Sequence, residues 1–290
     1  MNKLNLQLKT STLEEQIVTA CILEASARKP GNVHPKASFV DLKYQDFIDA
    51  AIFAGQELHD AIRIGVGQSV LNAVSRTRQN LNTNVNLGII LLVAPLAAIP
   101  VETELDIGIS ISLAAIDIDQ TKLIYQAIQN AKPGGMGEVS KGDVAETPQT
   151  TIIEAMQLAA DRDMIAKQYV NGFAEVLKFG RQQFLKWFER TQAWESAIIG
   201  THLEFMAAYP DSLIARKCGQ KLALKSSQMA REVLEFGWPE TNISLQKYRE
   251  FDYWLRADGH QRNPGTTADL IAAVLFAVIR DKLWSPPDSI

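Results

Sequence analysis

The feature that most constrains the fold is an uninterrupted apolar run from Ile89 to Ala94, preceded by Gly88 and followed by Pro95. The run is far shorter than the roughly 20 apolar residues that a membrane-spanning helix needs. A helix that is apolar on every side has to be surrounded by other elements of a folded protein. The run therefore predicts a buried central helix that begins near Gly88.

Helical periodicity dominates the rest of the chain. Thr12 and Glu15 fit a capping box and open a stripe of apolar residues, which predicts a first helix from about Thr12 to Ala27. No segment alternates apolar and polar residues for long enough to indicate a strand. We expect an all-α fold with roughly ten or more helices, arranged as a single compact multi-helix domain over residues 1–290.

The composition limits the classes of binding partner that we expect. A formal net charge of -4 and a pI near 5.7 give no reason to expect nucleic acid or an anionic membrane as the main partner. Cys21 and Cys218 lie in apolar helical patterns, which predicts buried thiols rather than a disulfide. The first residues lack the apolar core of a signal peptide, so we expect a soluble cytoplasmic protein. The sequence leaves a homo-oligomer open.

The segment from Arg28 to Pro35 breaks the apolar pattern with two prolines, a glycine and three potentially cationic side chains. The prolines favour extended geometry at Lys29 and His34. Lys29 and an exposed Gly31 amide would then suit an anion. A basic surface turn is the alternative interpretation.

Glu24 lies on or beside the apolar stripe of the first helix, one turn before Arg28. This spacing fits an exposed ion pair between the two side chains. The alternative is an acid aimed into a pocket that the following loop lines.

Two further segments carry polar groups that suit a nucleotide. Asn82, Asn84 and Asn86 alternate with other residues before the apolar run, and their amides suit either helix capping or contacts to a base, ribose or phosphate. The glycine-rich segment Lys132–Glu138 lacks the Walker spacing. The sequence does not decide whether this segment is a phosphate-binding loop, a lid or a connector. The role of residues 134–137 within it is also open.

Candidate site residues also lie in the second half of the chain. His202 is in an apolar helix, where a core histidine and a catalyst are both plausible. Asp211 suits the N-cap of the next helix, which carries Arg216. The segment Asn263–Asp269 opens a strongly apolar helix and predicts an anion site at its free amides. Asp269 would either cap that helix or bind a divalent cation.

Four stretches in this order resemble the triphosphoribosyl-dephospho-CoA synthase family. They are Glu24 with Lys29–Val33, Asn84–Gly88, His202 with Asp211–Arg216, and Pro264–Leu270. The resemblance implies an all-helical enzyme that moves the ribose-triphosphate of ATP to the 2′-hydroxyl of 3′-dephospho-CoA and releases adenine. ATP and dephospho-CoA would be small-molecule substrates.

The resemblance also implies roles for individual residues. Glu24, Lys29 and His202 would be catalytic, with Glu24 as the general base. Asp211 and Asp269 would bind Mg²⁺. The nucleotide would be held by a larger set: Gly31, Asn84, Asn86, Arg216, Gly265, Thr266 and Thr267.

The chain also departs from the family pattern. Asn32-Val33-His34 replaces the family's Leu-Val-Asp, and Asn84–Gly88 lacks the histidine and lysine of the family's Asn-Thr-His-Lys-Gly. We therefore expect a divergent member, and a different acceptor in the biosynthesis of another cofactor is an alternative. A helical nucleotide-binding or regulatory protein without the chemistry is a second alternative, and a purely structural helical protein is a third.

Overall fold

Helices provide nearly all the regular structure of the chain. The computed structural model describes residues 6–81, 83, 85–131 and 148–290. The helices are α1 (Leu13–Ser26), α2 (Tyr44–Leu58), α3 (Ala61–Ile64), α4 (Val66–Asn80), α5 (Leu87–Ala97), α6 (Leu105–Ala114), α7 (Ile118–Ala131), α8 (Ile152–Gln157), α9 (Met164–Asn171), a π-helical turn (Glu175–Gly180), α10 (Arg181–Thr191), α11 (Trp194–Ala208), α12 (Ser212–Cys218), α13 (Gln220–Glu235), α14 (Asn242–Arg256) and α15 (Gly265–Arg280).

The predicted all-α class is confirmed. Extended pairing among the described residues is limited to isolated bridges, between Gln7 and Ser289 and between His34 and Ala37. Cys21 is buried as predicted, whereas Cys218 is half-exposed, and neither cysteine is in a disulfide. The prediction of burial for Cys218 was wrong because it is the last residue of α12, where its thiol donates to a loop carbonyl, that of Gln261, at 3.3 Å.

Helix α1 begins where the sequence predicts. The Thr12 hydroxyl accepts from the Glu15 amide at 3.2 Å, and the Glu15 carboxylate accepts from the Thr12 amide at 3.2 Å. This capping box satisfies two backbone donors that have no partner inside the helix. The apolar face of α1 then packs against α2 and α15.

Two buried helices form the centre of the molecule. Every residue of α5 from Gly88 to Ala97 is buried, which confirms the predicted central helix. Helix α15 is buried from Leu270 to Arg280 and contacts α1, α5, α10, α11 and α12. The sequence identified α15 as strongly apolar but not as a second central helix. The buried apolar side chains of the described residues form one contiguous cluster.

The first turns of α5, α9, α12 and α15 meet at one end of this core. Asp211 precedes α12 and accepts from the Thr267 amide in the first turn of α15, at 2.8 Å. The Ser212 hydroxyl accepts from the first amide of α9 at 3.3 Å. The Asp269 carboxylate lies against Gly88 in the first turn of α5. Helix N-termini carry partial positive charge, so their convergence favours negatively charged groups at this end.

No helix in the described ranges has both the length and the apolar character needed to cross a membrane.

Replacing Thr12 with Ala should lower the free energy of unfolding by about 1 kcal/mol, because the Glu15 amide loses its capping hydroxyl. Urea denaturation monitored by circular dichroism measures this change. Ser11→Ala is the matched control, since Ser11 uses only its backbone amide to bond the Glu15 carboxylate, at 3.0 Å. An equal loss in both variants would contradict the capping assignment.

Candidate functional site

The loop that follows α1 is buried, so the interpretation as a basic surface turn is wrong. Between Arg28 and Pro35 only these two end residues are exposed, and Lys29 has 0% of its surface accessible. Gly31 adopts φ of +77°, and a Cβ there would collide with Leu255 and Pro264. The missing side chain lets the loop turn inward and pack between α14 and the start of α15.

A buried ion pair joins this loop to α1. Lys29 Nζ lies 2.8 Å from Glu24 Oε1, and both side chains are almost fully buried. The same ammonium also donates to the backbone carbonyls of Glu24 and Ala27. All three ammonium protons thus have an oxygen partner. Lys29 is therefore not placed to bind a phosphate at the surface.

The predicted pair between Glu24 and Arg28 does not form, because Glu24 points into the core. Arg28 instead binds both carboxylate oxygens of Glu195 on α11, each at 2.6 Å. The Arg28 carbonyl accepts from the hydroxyl of Tyr248 on α14. These contacts attach the loop to two further helices. The sequence gives no signal for them, since the partners are about 170 and 220 residues away.

The expected exposed Gly31 amide is also occupied. It donates to Asp252 Oδ1 at 2.8 Å, and Gly31 itself is buried. Next to it, Asn32 Nδ2 donates to Asn263 Oδ1 at 2.6 Å, which connects the loop to the residues that precede α15. Gly31 therefore supports the loop and does not offer its amide to a ligand.

His34 is mostly buried and lies in cationic surroundings. Its Nδ1 accepts from the Lys36 amide at 3.2 Å. Burial, followed by the charge of Arg256, lowers the pKa of His34 to about 4. His34 is thus a neutral imidazole at pH 7, and its Nε2 carries the proton.

His202 lies at the floor of the candidate site with no accessible surface. Neither ring nitrogen has a hydrogen-bond partner among the described residues. Burial, aided by the charge of Lys29, lowers the pKa of His202 well below its usual value. The imidazole is therefore neutral and lies within the electrostatic reach of the buried ion pair.

Asp211 caps α12, as one interpretation of the sequence predicted. Its Oδ1 accepts from the Ile214 amide at 2.9 Å. Its Oδ2 accepts from both the amide and the hydroxyl of Thr267, each at 2.8 Å. Burial still raises the pKa of Asp211. The protein's own carboxylate thus occupies part of the predicted anion site at the start of α15.

Asp269, in the first turns of α15, is a half-buried residue of the cluster. Burial raises the pKa of Asp269 well above its usual value, and the nearby charges of Glu24, Asp211 and Asp163 raise it further. A Cβ on Gly88 would overlap the Asp269 carboxylate, so only glycine permits this close approach. The site therefore concentrates negative charge at a position where a cation would be stabilising.

Arg216 provides positive charge at the edge of the cluster. Its Nη1 lies 3.6 Å from Asp163 Oδ2, and both side chains are about one-third accessible. Asp163 caps α9 by accepting from the Ile165 amide at 2.8 Å. Asp163 is not among the predicted site residues, although its place before an apolar helical run is a capping signal. Arg216 also lowers the pKa of Asp269, against the larger effect of burial.

The structure gives the positions of some of the other predicted binding residues but not of all. Asn86 precedes α5, is buried, and donates from Nδ2 to the Ala50 carbonyl at 3.2 Å. Gly265 and the buried Thr266 begin α15. Asn84 and the glycine-rich segment Lys132–Glu138 lie outside the described residues.

A family model for CitG, described as ATP:dephospho-CoA triphosphoribosyl transferase, matches residues 10–287. The chain belongs to the CitG family. It is therefore an enzyme of the transferase class, and the family supports triphosphoribosyl transfer to dephospho-CoA in general terms.

The fold agrees with a solved structure. A candidate triphosphoribosyl-dephospho-CoA synthase from Archaeoglobus fulgidus superposes with a TM-score of 0.64 at 22% sequence identity. The match covers 81% of this chain and 98% of that one. It shows that CitG-type helical architecture is retained here. No curated protein sequence matches the chain.

A divalent cation would need oxygen ligands beyond those of the protein. No group of three His, Cys, Asp or Glu side chains in the described ranges is arranged to hold a metal ion. Mg²⁺ commonly binds one or two carboxylates together with substrate phosphates. Asp269 fits that mode because it is partly exposed and surrounded by like charge. Asp211 fits less well because its oxygens already accept three hydrogen bonds.

Gly88→Ala should lower the free energy of unfolding, because the new methyl group overlaps the Asp269 carboxylate. We expect a loss of roughly 1–3 kcal/mol in urea denaturation, which is typical of overpacking. Combining Gly88→Ala with Asp269→Ala removes the overlap with the carboxylate and should recover part of the loss, since Ile165 Cδ1 still lies within 2.8 Å of the added Cβ. Strictly additive effects of the two substitutions would contradict the proposed contact.

Asp269→Asn should make the protein more stable at pH 7 than the wild type. A raised pKa in the folded state means that the native protein binds the proton more tightly than the unfolded chain does. The contribution of this carboxyl group to the free energy of unfolding therefore falls as the pH rises through the folded pKa. The contribution is restored at lower pH. Unfolding measured from pH 4 to pH 8 should show the advantage of the variant shrinking toward acid pH.

Asp258→Asn, in an exposed loop, is the control for this pH series. Its free energy of unfolding should match that of the wild type at every pH in the series. An Asp269→Asn variant that is less stable than the wild type at pH 7 would show that the carboxylate is net stabilising.

Proposed function

We propose that the enzyme transfers the triphosphoribosyl group of ATP to the ribose 2′-hydroxyl of 3′-dephospho-CoA and releases adenine. The observation that carries this proposal is the arrangement of Asp269 and Arg216 beside the buried Glu24–Lys29 pair, at the point where four helix N-termini converge. Membership of the CitG family supports the general reaction. The departures in Asn32–His34 and Asn84–Gly88 keep a related acceptor as the alternative.

The reaction joins the acceptor oxygen to C1′ of the ATP ribose, while the bond from C1′ to the adenine nitrogen breaks. A base takes the proton of the attacking hydroxyl, and adenine leaves with a proton. Glu24 is the proposed base. The Glu24 side chain is 5% exposed, so water would compete little with a substrate hydroxyl for the carboxylate.

Lys29 and His202 act as positioning residues in this proposal. Lys29 fixes one oxygen of Glu24 at 2.8 Å and balances its charge. His202 is neutral, so it adds no second positive charge beside Lys29. A protonated imidazole at this position would weaken the ion pair between Lys29 and the Glu24 carboxylate. The pair thus holds the Glu24 carboxylate in one orientation.

The triphosphate is proposed to bind at the partly exposed side of the cluster. Arg216 can shift from its weak contact with Asp163 to phosphate oxygens, which form stronger charge-assisted hydrogen bonds. The start of α15 at Gly265 and Thr266 adds the positive end of a helix. Asp269 would hold Mg²⁺, which supplies charge neutralisation of the phosphates. Asp211 holds Thr267 in place rather than binding the metal directly.

The proposed contacts to the sugar or base come from the turn before α5. Asn86 has its amide nitrogen bonded to Ala50, which leaves its side-chain oxygen as the acceptor for a substrate group. Asn84 is proposed to act with it. Asn86 would meet a nucleotide whose triphosphate lies toward Asp269, since Gly88, two residues later in α5, contacts that carboxylate.

Incubation of the purified protein with ATP, Mg²⁺ and dephospho-CoA tests the function directly. Chromatography should detect free adenine and a product heavier than dephospho-CoA by a triphosphoribosyl unit. Omission of dephospho-CoA should abolish adenine release. ATP binding without adenine release would favour a nucleotide-binding regulatory protein, and the absence of any ATP-induced thermal shift would reject both functions.

Glu24→Gln should lower kcat by roughly 100-fold or more, since the base is lost. Glu14→Gln on the same helix should leave kcat unchanged. Because Glu24→Gln leaves a buried ammonium without its partner, it should also reduce stability. The double variant Glu24→Gln/Lys29→Met removes the unpaired charge and should recover stability without recovering activity. Adenine release at the wild-type rate in the stable double variant would reject Glu24 as the base.

A further inference from the structure

A basic surface borders the proposed triphosphate site and is not used by the steps above. It runs from the end of α12 across α13 to the loop after α14. We call it the α12–α14 basic surface; its members are Lys217, Lys221, Lys225 and Arg262, and it adjoins Arg216 of the triphosphate site. The chain as a whole carries a formal charge of -4, so this clustering is not a consequence of composition.

The cations of this surface are not engaged in ion pairs within the part of the chain that the structure describes. Lys217, Lys221, Lys225 and Arg262 form no ion pair with any carboxylate that the structure describes. Lys217 is half-buried, and burial together with the charge of Arg216 lowers its pKa. The charges of Asp211 and Asp41 act on the pKa of Lys217 in the opposite direction, and Asp41 lies 3.0 Å from His260 Nε2. An anion bound here would relieve repulsion that these acids compensate only in part.

Trp254 holds two of the cations in place. The Arg262 guanidinium lies 4.6 Å from the centre of the indole ring, and Lys225 Nζ lies 5.0 Å from it. Cation–π contacts of this kind restrict long side chains that would otherwise be mobile. Arg262 Nε is buried without a hydrogen-bond partner. The ring therefore presents two pre-positioned cations together, which is a better anion site than two freely moving lysines.

The surface is continuous with the candidate active site. Arg216 acts on Asp269 at one side and is followed directly by Lys217. Cys218 at the end of α12 bonds the Gln261 carbonyl at 3.3 Å, which holds Arg262 beside this helix. A ligand bound at Arg262 would therefore lie next to the place proposed for the triphosphate.

We infer that the α12–α14 basic surface binds the diphosphate of the acceptor nucleotide. This inference rests on the proposed function, in which one substrate carries a triphosphate and the other a diphosphate bridge. A diphosphate carries closely spaced negative charges. These would pair with Lys217, Lys225 and Arg262, which form no ion pair with any residue that the structure describes. Two separate cationic regions would also keep the two phosphorylated substrates from competing for one site.

The double variant Lys225→Gln/Arg262→Gln tests this inference by isothermal titration calorimetry with dephospho-CoA and with ATP. The Kd for dephospho-CoA should rise about tenfold or more, since charge-assisted hydrogen bonds are lost. The Kd for ATP should stay within about twofold of the wild-type value. Lys122→Gln/Lys186→Gln removes two exposed lysines on α7 and α10 and should change neither Kd.

The other outcomes separate this inference from the proposed function. An unchanged Kd for dephospho-CoA in the variant, or no binding by the wild type, overturns the inference. A loss of ATP affinity equal to that of dephospho-CoA assigns the surface to the donor and also overturns it. If the variant loses dephospho-CoA affinity selectively while the wild type releases no adenine, the inference stands and the proposed function fails.

Discussion

The buried ion pair between Glu24 and Lys29 is the interaction on which the site depends. Two opposite charges removed from water are costly unless each has close partners. Lys29 meets this requirement with a carboxylate and two carbonyl oxygens. The pair fixes the loop after α1 against the helix itself, and the loop in turn contacts α11, α14 and the residues before α15. These contacts allow the Glu24 carboxylate to remain inside an apolar core.

Negative charge at converging helix N-termini is the second organising feature. Asp163 and Asp211 each satisfy backbone amides, and Asp211 links two helices through Thr267. Asp269 differs because its raised pKa reflects burial and repulsion from like charges. Under the proposed function, stability and cation binding therefore favour opposite properties at this residue. The unliganded protein retains an unfavourable carboxylate that a cation with phosphate ligands would compensate.

The sequence predicted the features that depend on local chemistry. The capping box at Thr12, the buried helix after Gly88 and the cap at Asp211 follow from residue types at short spacing. The burial of Lys29 could not be predicted in this way, because it depends on packing of Gly31 against Leu255, more than 200 residues away. For the same reason, the sequence could not show that hydrogen-bond donors of the expected anion sites already have partners within the protein. Residue types showed which groups can bind phosphate, but tertiary contacts decide which of them are already bonded.

In the proposed function, the triphosphate binds between Arg216, Asp269 and the first turn of α15. A crystal structure of the protein with ATP and Mg²⁺ tests it most directly. We predict phosphate density beside the Arg216 guanidinium, with the metal between Asp269 and phosphate oxygens and with Lys29 still bonded to Glu24. Triphosphate density at any other place, or a Lys29 side chain turned toward the phosphates, would contradict this account.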